Sequence, residues 1–511
     1  MQGDFSRVTF DRDRHFSAVL SQQGRVQLDS EINEQTAILQ YYLRTLVADV
    51  LGPAACPAGP QETDPGGFRV AVNDGVLTVT HGRMYVDGIL CECKEGAEYW
   101  SQPDGYLDQE RQEAEGKLHE GPFLAYLRVW ERLVTAHEAP ELREPALGLH
   151  GPDTTARTRV VWQIDWFPLS PGHPVPDPAP ETAQDWLAEE LTARFGPRAE
   201  LAARARLAEG DTDPCDVAPD SGYRGPENQL YRVEVHRGGT VGRATFKWSR
   251  ENGSVVLPIR SVAGPTLELD TLGRDNKLGL EPGDTVEIVD DASVCRAARD
   301  VAGRAPRLYR ITEVDHVGRR VVLDAAPAAD AHHPGLGTLP ERHPLLRRWD
   351  HRPPEPATGP AGGTAGSGSV ATAVSGEGAL LIEEGRWLPI EDGIEVLFEP
   401  VPQSAPAAPA TPATPAAPVD PGAPPVPPAL PEPPKRSYRA GDYWLIPARV
   451  VTGDVLWPAD ANGDPQRRAP HGIDYHYAPL AKVEQAGADG ARTPEDLRKV
   501  FRPLAQPLPP L

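Results

Sequence analysis

At 511 residues the chain is longer than one ordinary domain, and we expect about two to four modules. Its 57 prolines and 48 glycines favour short strands and turns over long helices. The formal net charge of −23 repels phosphate backbones and argues against nucleic acid as a partner.

The cysteines of the chain do not indicate a disulfide framework. Their number is odd and they are spread over a long chain, at Cys56, Cys91, Cys93, Cys215 and Cys295. Disulfide frameworks are typical of short secreted domains instead, so we expect reduced, buried thiols. The sequence shows neither an apolar leader nor an apolar run of membrane length, which predicts a cytoplasmic protein without a membrane span.

Residues 1–52 combine an extended arm with one long amphipathic helix. Asp29 and Ser30 are good N-cap residues, and Gly52-Pro53 ends the helical pattern. Apolar residues recur between them with heptad spacing, at Ile32, Leu39, Leu43, Leu46 and Val50, with Thr36 at the remaining position. About three heptads are marginal for an independent coiled coil. Two interpretations stay open: the stripe packs on the protein's own β core, or it meets a copy of itself or a neighbouring subunit.

The remainder of the chain is predicted to be mainly β, built from several small modules. Residues 68–72 and 76–80 flank an Asn-Asp-Gly turn, which indicates a hairpin, and residues 82–90 predict another strand pair. Residues 123–134 and 158–167 alternate apolar side chains over long runs and are expected to pair. A further hairpin is predicted between Ala244–Arg250 and Ser254–Arg260, across an Asn-Gly turn.

Short strands at regular spacing in residues 266–326 predict a small SH3-like or oligonucleotide-binding-type barrel of five or six strands. Residues 185–207 are predicted to be helical with a break at Gly196-Pro197, and residues 494–501 to form a last helical turn. Residues 353–378 have the composition of a flexible linker, and residues 400–434 that of a polyproline-type spacer. The strands before and after this spacer are expected to share one sheet.

These elements predict the following division of the chain: an N-terminal arm and helix (1–52), a β domain (53–180), a helical insert with its loop (181–225), a β-hairpin region (226–264), a small β-barrel (265–345), a linker with a β pair (346–400), a Pro-rich spacer (401–436) and a C-terminal β segment with its tail (437–511).

Motifs for nucleotide binding, metal-dependent hydrolysis and serine hydrolysis do not occur in the sequence. Residues 366–371 fit a degenerate dinucleotide-binding pattern, but no strand precedes them and we interpret them as linker. Several histidines, at His332, His333, His343, His351, His471 and His476, fall in loops without metal-ligand spacing. Glycoside hydrolysis would need two carboxylates about 5–9.5 Å apart in a groove, and the candidates are Glu131, Glu234, Glu251 and Asp350. We expect no catalytic residues, no metal and no cofactor.

Four stretches near the N-terminus form a recognisable pattern: Gly3-Asp4-Phe5-Ser6-Arg7, Thr9-Phe10-Asp11, Gln22-Gln23-Gly24-Arg25-Val26-Gln27-Leu28-Asp29 and Asn33-Glu34-Gln35. This pattern resembles the opening of a bacterial family whose members tend to sit in gene clusters for phage-tail-like contractile injection systems. The same motif is similar to the N-termini of baseplate and fibre-attachment proteins of contractile phage tails. Further similar stretches lie at residues 129–132, 157–163, 225–234, 246–253 and 441–449. The resemblance implies an arm and helix that dock on a neighbouring subunit.

We therefore expect a non-enzymatic structural subunit of a contractile particle, at its baseplate or where fibres attach. Its expected partners are other subunits of the particle, and self-association stays open. The predicted assembly interface consists of Phe5, Phe10, Gln22, Gln23, Arg25, Leu28, Ile32, Asn33, Gln35 and Leu39, with Arg25 facing a carboxylate of the partner. Two alternatives remain: a particle-borne carbohydrate-binding or glycan-cleaving β protein, and a stand-alone cytoplasmic protein.

Overall fold

The computed structural model describes residues 1–59, 66–73, 75–107, 121–148, 152–169, 180–196, 199–206, 222–273, 275, 277–297, 305–327, 335–352, 375–400, 438–484 and 492–502. Within these residues the chain is mainly β, with several sheets, a closed barrel and a few helices. The prediction of a mainly β fold made of several modules is confirmed. None of the helices in the described residues combines the length and the apolarity that a membrane span requires.

The helices are α1 (Asp29–Leu51), α2 (Pro180–Phe195) and α3 (Asp291–Ala297). The first strands are β1 (Ala54–Pro57), β2 (Val70–Asn73), β3 (Val76–Val79), β4 (Gly82–Val86), β5 (Ile89–Cys93), β6 (Ala97–Glu98), β7 (Phe123–Val134), β8 (Arg157–Pro168), β9 (Ala199–Ala205), β10 (Gln229–Arg237), β11 (Thr245–Ser249) and β12 (Val256–Ala263). The later strands are β13 (Thr266–Leu269), β14 (Thr285–Val289), β15 (Leu308–Asp315), β16 (Arg320–Leu323), β17 (Leu345–Trp349), β18 (Leu380–Leu381), β19 (Leu388–Pro389), β20 (Ile394–Pro400), β21 (Tyr443–Arg449), β22 (Asp454–Val455), β23 (His476–Val483), β24 (Pro494–Asp496) and β25 (Val500–Phe501).

The first unit contains three sheets around one apolar core, with strand orders β25-β1-β4-β5, β24-β23-β7-β8 and β2-β3-β6. Strands β7 and β8 pair antiparallel from Phe123↔Pro168 to Val134↔Arg157, as predicted. The predicted pairs β2–β3 and β4–β5 are also confirmed. Strand β23 pairs with β7 and β25 pairs with β1. The C-terminal part of the chain therefore completes the unit that the N-terminal part begins.

The second unit packs the sheet β18-β11-β10-β21-β22 with the sheet β19-β20-β9 over an aromatic core. The Phe398 ring lies 5.0 Å from Phe246 and 5.9 Å from Trp444 between centroids. Strands β18 and β21 share a sheet, as predicted for the chain before and after residues 401–436, which lie outside the described residues. The expectation that β20 belongs to that sheet is wrong, because β20 pairs with β9 and β19.

The third unit is a closed barrel of six strands in the order β12-β13-β16-β15-β14-β17. Its interior is apolar and includes Leu257, Leu267, Val286, Ile311 and Leu346. The predicted small barrel of five or six strands is thus confirmed, with six strands, but it begins earlier and ends later than residues 266–326. The hairpin predicted across Asn252-Gly253 is wrong. Strand β11 pairs with β10 and β18, whereas β12 pairs with β13 and β17, so this turn passes the chain from the second unit into the barrel.

Three local predictions are corrected by the structure. The residues after Gly196 form strand β9 instead of helix, since they pair with β20 from Ala199↔Pro400 to Ala205↔Ile394. Partner strands thus override the helix propensity of an Ala-rich segment. Residues 494–501 contain strands β24 and β25 instead of a helical turn. Asp29 is the first residue of α1 instead of its N-cap, which is Leu28.

Candidate functional site

One face of α1 is fixed to the body of the protein. Ser30 and Ile38 are buried, and the Arg44 guanidinium contacts the Glu131 carboxylate of β7 at 2.8 Å. The two-residue turn between β4 and β5 lies directly against the helix, because a Cβ added to Gly88 would lie 2.3 Å from the Arg44 carbonyl oxygen. The helix therefore has a defined position on the first unit.

The opposite face of α1 carries an apolar stripe that the described residues leave uncovered. The side chains of Ile32, Leu39, Leu43, Leu46 and Val50 are between 58% and 70% exposed. Successive helical residues turn by about 100°, so these five side chains fall within an arc of about 60° on the side away from Ser30. We call these five residues the outer stripe. Of the two interpretations left open by the sequence, packing of this stripe on the protein's own β core is wrong.

The heptad positions that flank the outer stripe on α1 carry little charge. In heptad terms, Thr36, Leu43 and Val50 occupy a positions, and Ile32, Leu39 and Leu46 occupy d positions. The e and g positions beside them are held by Asn33, Gln35, Gln40, Tyr42, Val47 and Asp49. Asp49 alone among these carries a formal charge, in a chain with a net charge of −23. The outer stripe is thus an apolar seam with nearly uncharged borders.

The arm before α1 is tied to the N-terminal half of the helix by hydrogen bonds. The Ser6 amide and hydroxyl donate to the Asp29 carboxylate at 2.9 and 2.6 Å. The Thr9 hydroxyl donates to Glu34 at 2.6 Å, and the Val19 amide donates to the Gln35 side-chain oxygen at 2.6 Å. The arm therefore runs along one flank of the helix, beside the outer stripe, whose five side chains stay exposed.

The first residues of the arm pack on the second unit of the same chain. The Asn252 side-chain amide donates to the carbonyl oxygens of Met1 and Gly3, at 3.1 and 2.9 Å. The Phe5 ring is half-buried against an apolar cluster of β10 and β21, formed by Leu230, Tyr443 and Leu445. Phe5 thus serves the packing of its own chain, and the arm links α1 to the second unit.

An aromatic groove lies beside the outer stripe, between the arm and α1. Its apolar lining consists of Phe10, Phe16, Tyr41, Tyr42 and Leu46. The ring centroids of Phe10 and Tyr41 are 5.8 Å apart, and those of Tyr41 and Tyr42 are 6.0 Å apart. The adjacent tyrosines in a heptad helix were a sequence signal for this groove that the predicted interface did not include.

The remaining residues of the predicted interface are mostly in solvent. Gln22, Gln23 and Arg25 lie on the exposed loop that leads to α1, and Leu28 and Asn33 are exposed at the start of the helix. Phe10 and Gln35 are half-buried by their contacts within the chain. The structure adds Leu43, Leu46 and Val50, which share the seam with Ile32 and Leu39.

The histidines singled out in the sequence take part in separate contacts. His343 Nδ1 lies 2.7 Å from Asp291, and His476 Nδ1 lies 2.8 Å from Asp87. His332 and His333 lie outside the described residues. In the part of the chain that the structure describes, no group of three or more His, Cys, Asp or Glu side chains is arranged to hold a metal ion.

The described cysteines are free and buried, which confirms the expectation for Cys56, Cys91, Cys93 and Cys295. Burial raises the pKa of Cys91 and Cys295 to about 12, so these thiols stay protonated at neutral pH. Cys215 lies outside the described residues.

The carboxylates weighed as glycosidase candidates belong to ion pairs between elements. Glu131 pairs with Arg44 of α1. Burial acts to raise the pKa of Glu234, but Arg232 and Lys247 outweigh it and hold this pKa at about 2. Burial and the nearby Asp350 charge raise the pKa of Glu251 to about 7, although the Arg348 guanidinium lies 3.6 Å away.

A buried polar junction joins the second unit to the barrel. The Lys247 ammonium of β11 donates to both carboxylate oxygens of Glu287 on β14, at 2.8 and 2.7 Å, and the Trp349 indole donates to the same carboxylate at 2.9 Å. His236 and His351 are fully buried beside this junction. Burial, helped by the positive charge of Lys247, lowers the pKa of both imidazoles, that of His351 to about 3. These groups fix the units to each other.

A family model matches residues 1–170 and 181–407, which span α1, most of the first unit, the barrel and most of the second unit. The description of that family is a family of unknown function, DUF6519. Neither the curated proteins nor the solved structures gave a match. Since the matched residues make up more than half of the chain, the protein belongs to the family of unknown function DUF6519.

Proposed function

We propose that this protein is a non-enzymatic structural subunit of a contractile, phage-tail-like particle, at its baseplate or where fibres attach, and that α1 is its assembly element. One observation carries the proposal: the helix holds a straight apolar stripe in solvent while its other face is fixed to the body. Contiguous exposed apolar surface on a folded chain marks an interaction site. The resemblance of the N-terminal residues to baseplate and fibre-attachment proteins supports the particle as its setting.

The arm has a different part in this proposal from the one the sequence suggested. Its first residues contact the second unit, and its later residues bond to the N-terminal half of α1. The arm therefore holds the helix in place, and Phe5 and Gln35 leave the interface. The surface offered to the particle consists of Leu28 and the outer stripe, with the aromatic groove beside them.

Incorporation into the particle tests the proposal. The double variant Leu39→Glu, Leu46→Glu is expressed in cells whose gene cluster also encodes sheath and tube proteins, and particles are collected by sedimentation. We expect particles that lack the variant chain, because carboxylates replace apolar side chains in the seam. The matched control is Val317→Glu, Val451→Glu, since both valines are 97% exposed and lie far from α1 in sequence. Unimpaired incorporation of the α1 variant contradicts the proposal.

A further inference from the structure

The outer stripe is a surface without an occupant among the described residues, and its own pattern indicates which occupant fits. A seam of apolar side chains at heptad spacing is what one helix offers to a second helix with the same repeat, each winding gently around the other. An irregular loop does not match that spacing over three heptads. An α-helix with a matching repeat is therefore the occupant that fits the stripe.

The net charge of the chain and the residues beside the outer stripe further limit which helix can pack there. Two copies of this chain repel each other overall, since each has a net charge of −23. Contact between copies requires a surface from which acidic side chains are absent or nearly so. The borders of the outer stripe meet that requirement, because five of the six e and g positions are uncharged and only Asp49 is acidic. Asp29 falls at the first a position, where its carboxylate accepts hydrogen bonds from Ser6, and Glu31 and Glu34 lie at c and f positions.

Four of the six seam positions fit a pair of helices. Thr36 and Val50 at a positions are β-branched and Leu39 and Leu46 stand at d positions, whereas Leu43 at a and Ile32 at d depart from this pattern. In a parallel coiled coil, β-branched residues at a with leucine at d favour two strands. The bodies of two such copies would lie on opposite outer sides of the pair, because each body is fixed to the face of α1 opposite the stripe.

We propose that the occupant of the outer stripe is α1 of a second copy of this chain, so that two copies form a short parallel coiled coil through Ile32, Leu39, Leu43, Leu46 and Val50. This inference rests on the proposed role of α1 as the assembly element and names its partner. A helix of 23 residues is about 35 Å long, so the seam spans about three heptads. Such a seam gives association that depends on protein concentration.

Light scattering of the purified full-length chain over a range of concentrations tests the proposal. We expect the mass to rise from that of one chain, 55.3 kDa, towards twice that value. Salt should strengthen association, since it screens the repulsion between two acidic bodies while the seam itself is apolar. The variants Leu39→Glu, Leu46→Glu and Leu39→Lys, Leu46→Lys should each associate roughly a hundredfold or more weakly, because like charges meet in the seam.

A mixture of these two variants gives the decisive measurement. If α1 meets α1, the Glu and Lys variants attract each other, and their mixture should associate although each alone does not. The control is a mixture of Val317→Glu and Val317→Lys chains, which should associate like the parent. A single Leu43→Cys substitution should also give a covalent dimer on mild oxidation, because equal positions face each other in a parallel pair.

The outcomes separate this inference from the proposed function. A chain that stays at the mass of one copy, while the α1 variant is still lost from particles, overturns self-association and leaves the proposed function standing with another partner. Undiminished association of the Glu variant places the contact elsewhere and also overturns the inference. If both association and incorporation are independent of the outer stripe, both proposals fail.

Discussion

Helices α1 and α2 both carry apolar side chains at helical spacing, but only those of α2 are fully covered by strands of the same chain. Ala183, Leu187 and Leu191 of α2 are buried in a cluster with residues of β7, β8 and β23, and the Gln184 side chain donates to the Tyr477 carbonyl at 2.7 Å. The outer stripe of α1 has no such cover among the described residues. Amphipathic spacing therefore identifies the apolar face of a helix but does not by itself identify the surface against which that face packs.

The two helices should differ most in how much the free energy of unfolding falls when one of their leucines is replaced by alanine. Leu187→Ala should lower the free energy of unfolding by about 2–5 kcal/mol, because it removes a fully buried side chain and leaves a cavity. Leu39→Ala should change the same quantity by less than about 0.5 kcal/mol, since the side chain is 60% exposed and alanine favours helix. Urea unfolding followed by circular dichroism, at a concentration where the chain is monomeric, measures both. Equal losses would show that the stripe is covered by its own chain.

Lowering the pH should destabilise the body of the protein and leave the apolar outer stripe of α1 unaffected. The pKa of His351 falls from its ordinary 6.5 to about 3 through burial and the charge of Lys247. Between these pH values the unfolded chain binds more protons than the folded chain, so stability falls as the pH is lowered through this window. The slope for one such residue is at most about 1.4 kcal/mol per pH unit. Unfolding at a series of pH values should show this loss.

The matched variants for the acid experiment are His351→Gln, which removes the titrating group, and His15→Gln on the exposed arm. The first should flatten the dependence of stability on pH, and the second should leave it as in the parent. A parent-like slope in His351→Gln would assign the acid sensitivity to other groups, such as the equally buried His236.

Alanine substitutions at two glycines should have a smaller effect on stability, and they test how closely α1 is held against the turn between β4 and β5. Gly88 has a φ of +75°, and an added Cβ would meet the Arg44 carbonyl oxygen at 2.3 Å. Gly75 has a φ of +78° with open space around it. Alanine at either position should cost about 1 kcal/mol of backbone strain. Gly88→Ala should cost about 1–3 kcal/mol more and lower amide protection in α1, because it pushes the helix off the first unit. Equal costs at both glycines would show a loosely placed helix.

Local sequence signals were sufficient for much of this fold. Gly52 ends α1 as predicted, and the alternating runs of β7 and β8 pair in a continuous register. Asp87 and Gly88 form the close turn between β4 and β5, since both adopt positive φ. In each case the residues that decide the structure are neighbours in sequence or belong to one long periodic run.

The predictions that failed depended on distant partners. Strand β9 is rich in alanine and reads as helix until its pairing with β20 is known. Asn252 and Gly253 have the positive φ of a hairpin turn, but β11 and β12 find their partners in different units. The same limit applied to α1. Its heptads could be read from the sequence, but the exposure of Leu43 and Val50 could be known only from where the rest of the protein lies relative to the helix.

The most direct test of the account is the reactivity of a thiol placed in the outer stripe. The variant Leu43→Cys is labelled with a maleimide as a dilute purified chain and again within the assembled particle, with Val317→Cys as the exposed control. The account predicts rapid labelling of Cys at position 43 in the dilute chain and strong protection in the particle, with position 317 labelled in both. Protection in the dilute chain, or equal labelling in both states, would contradict it.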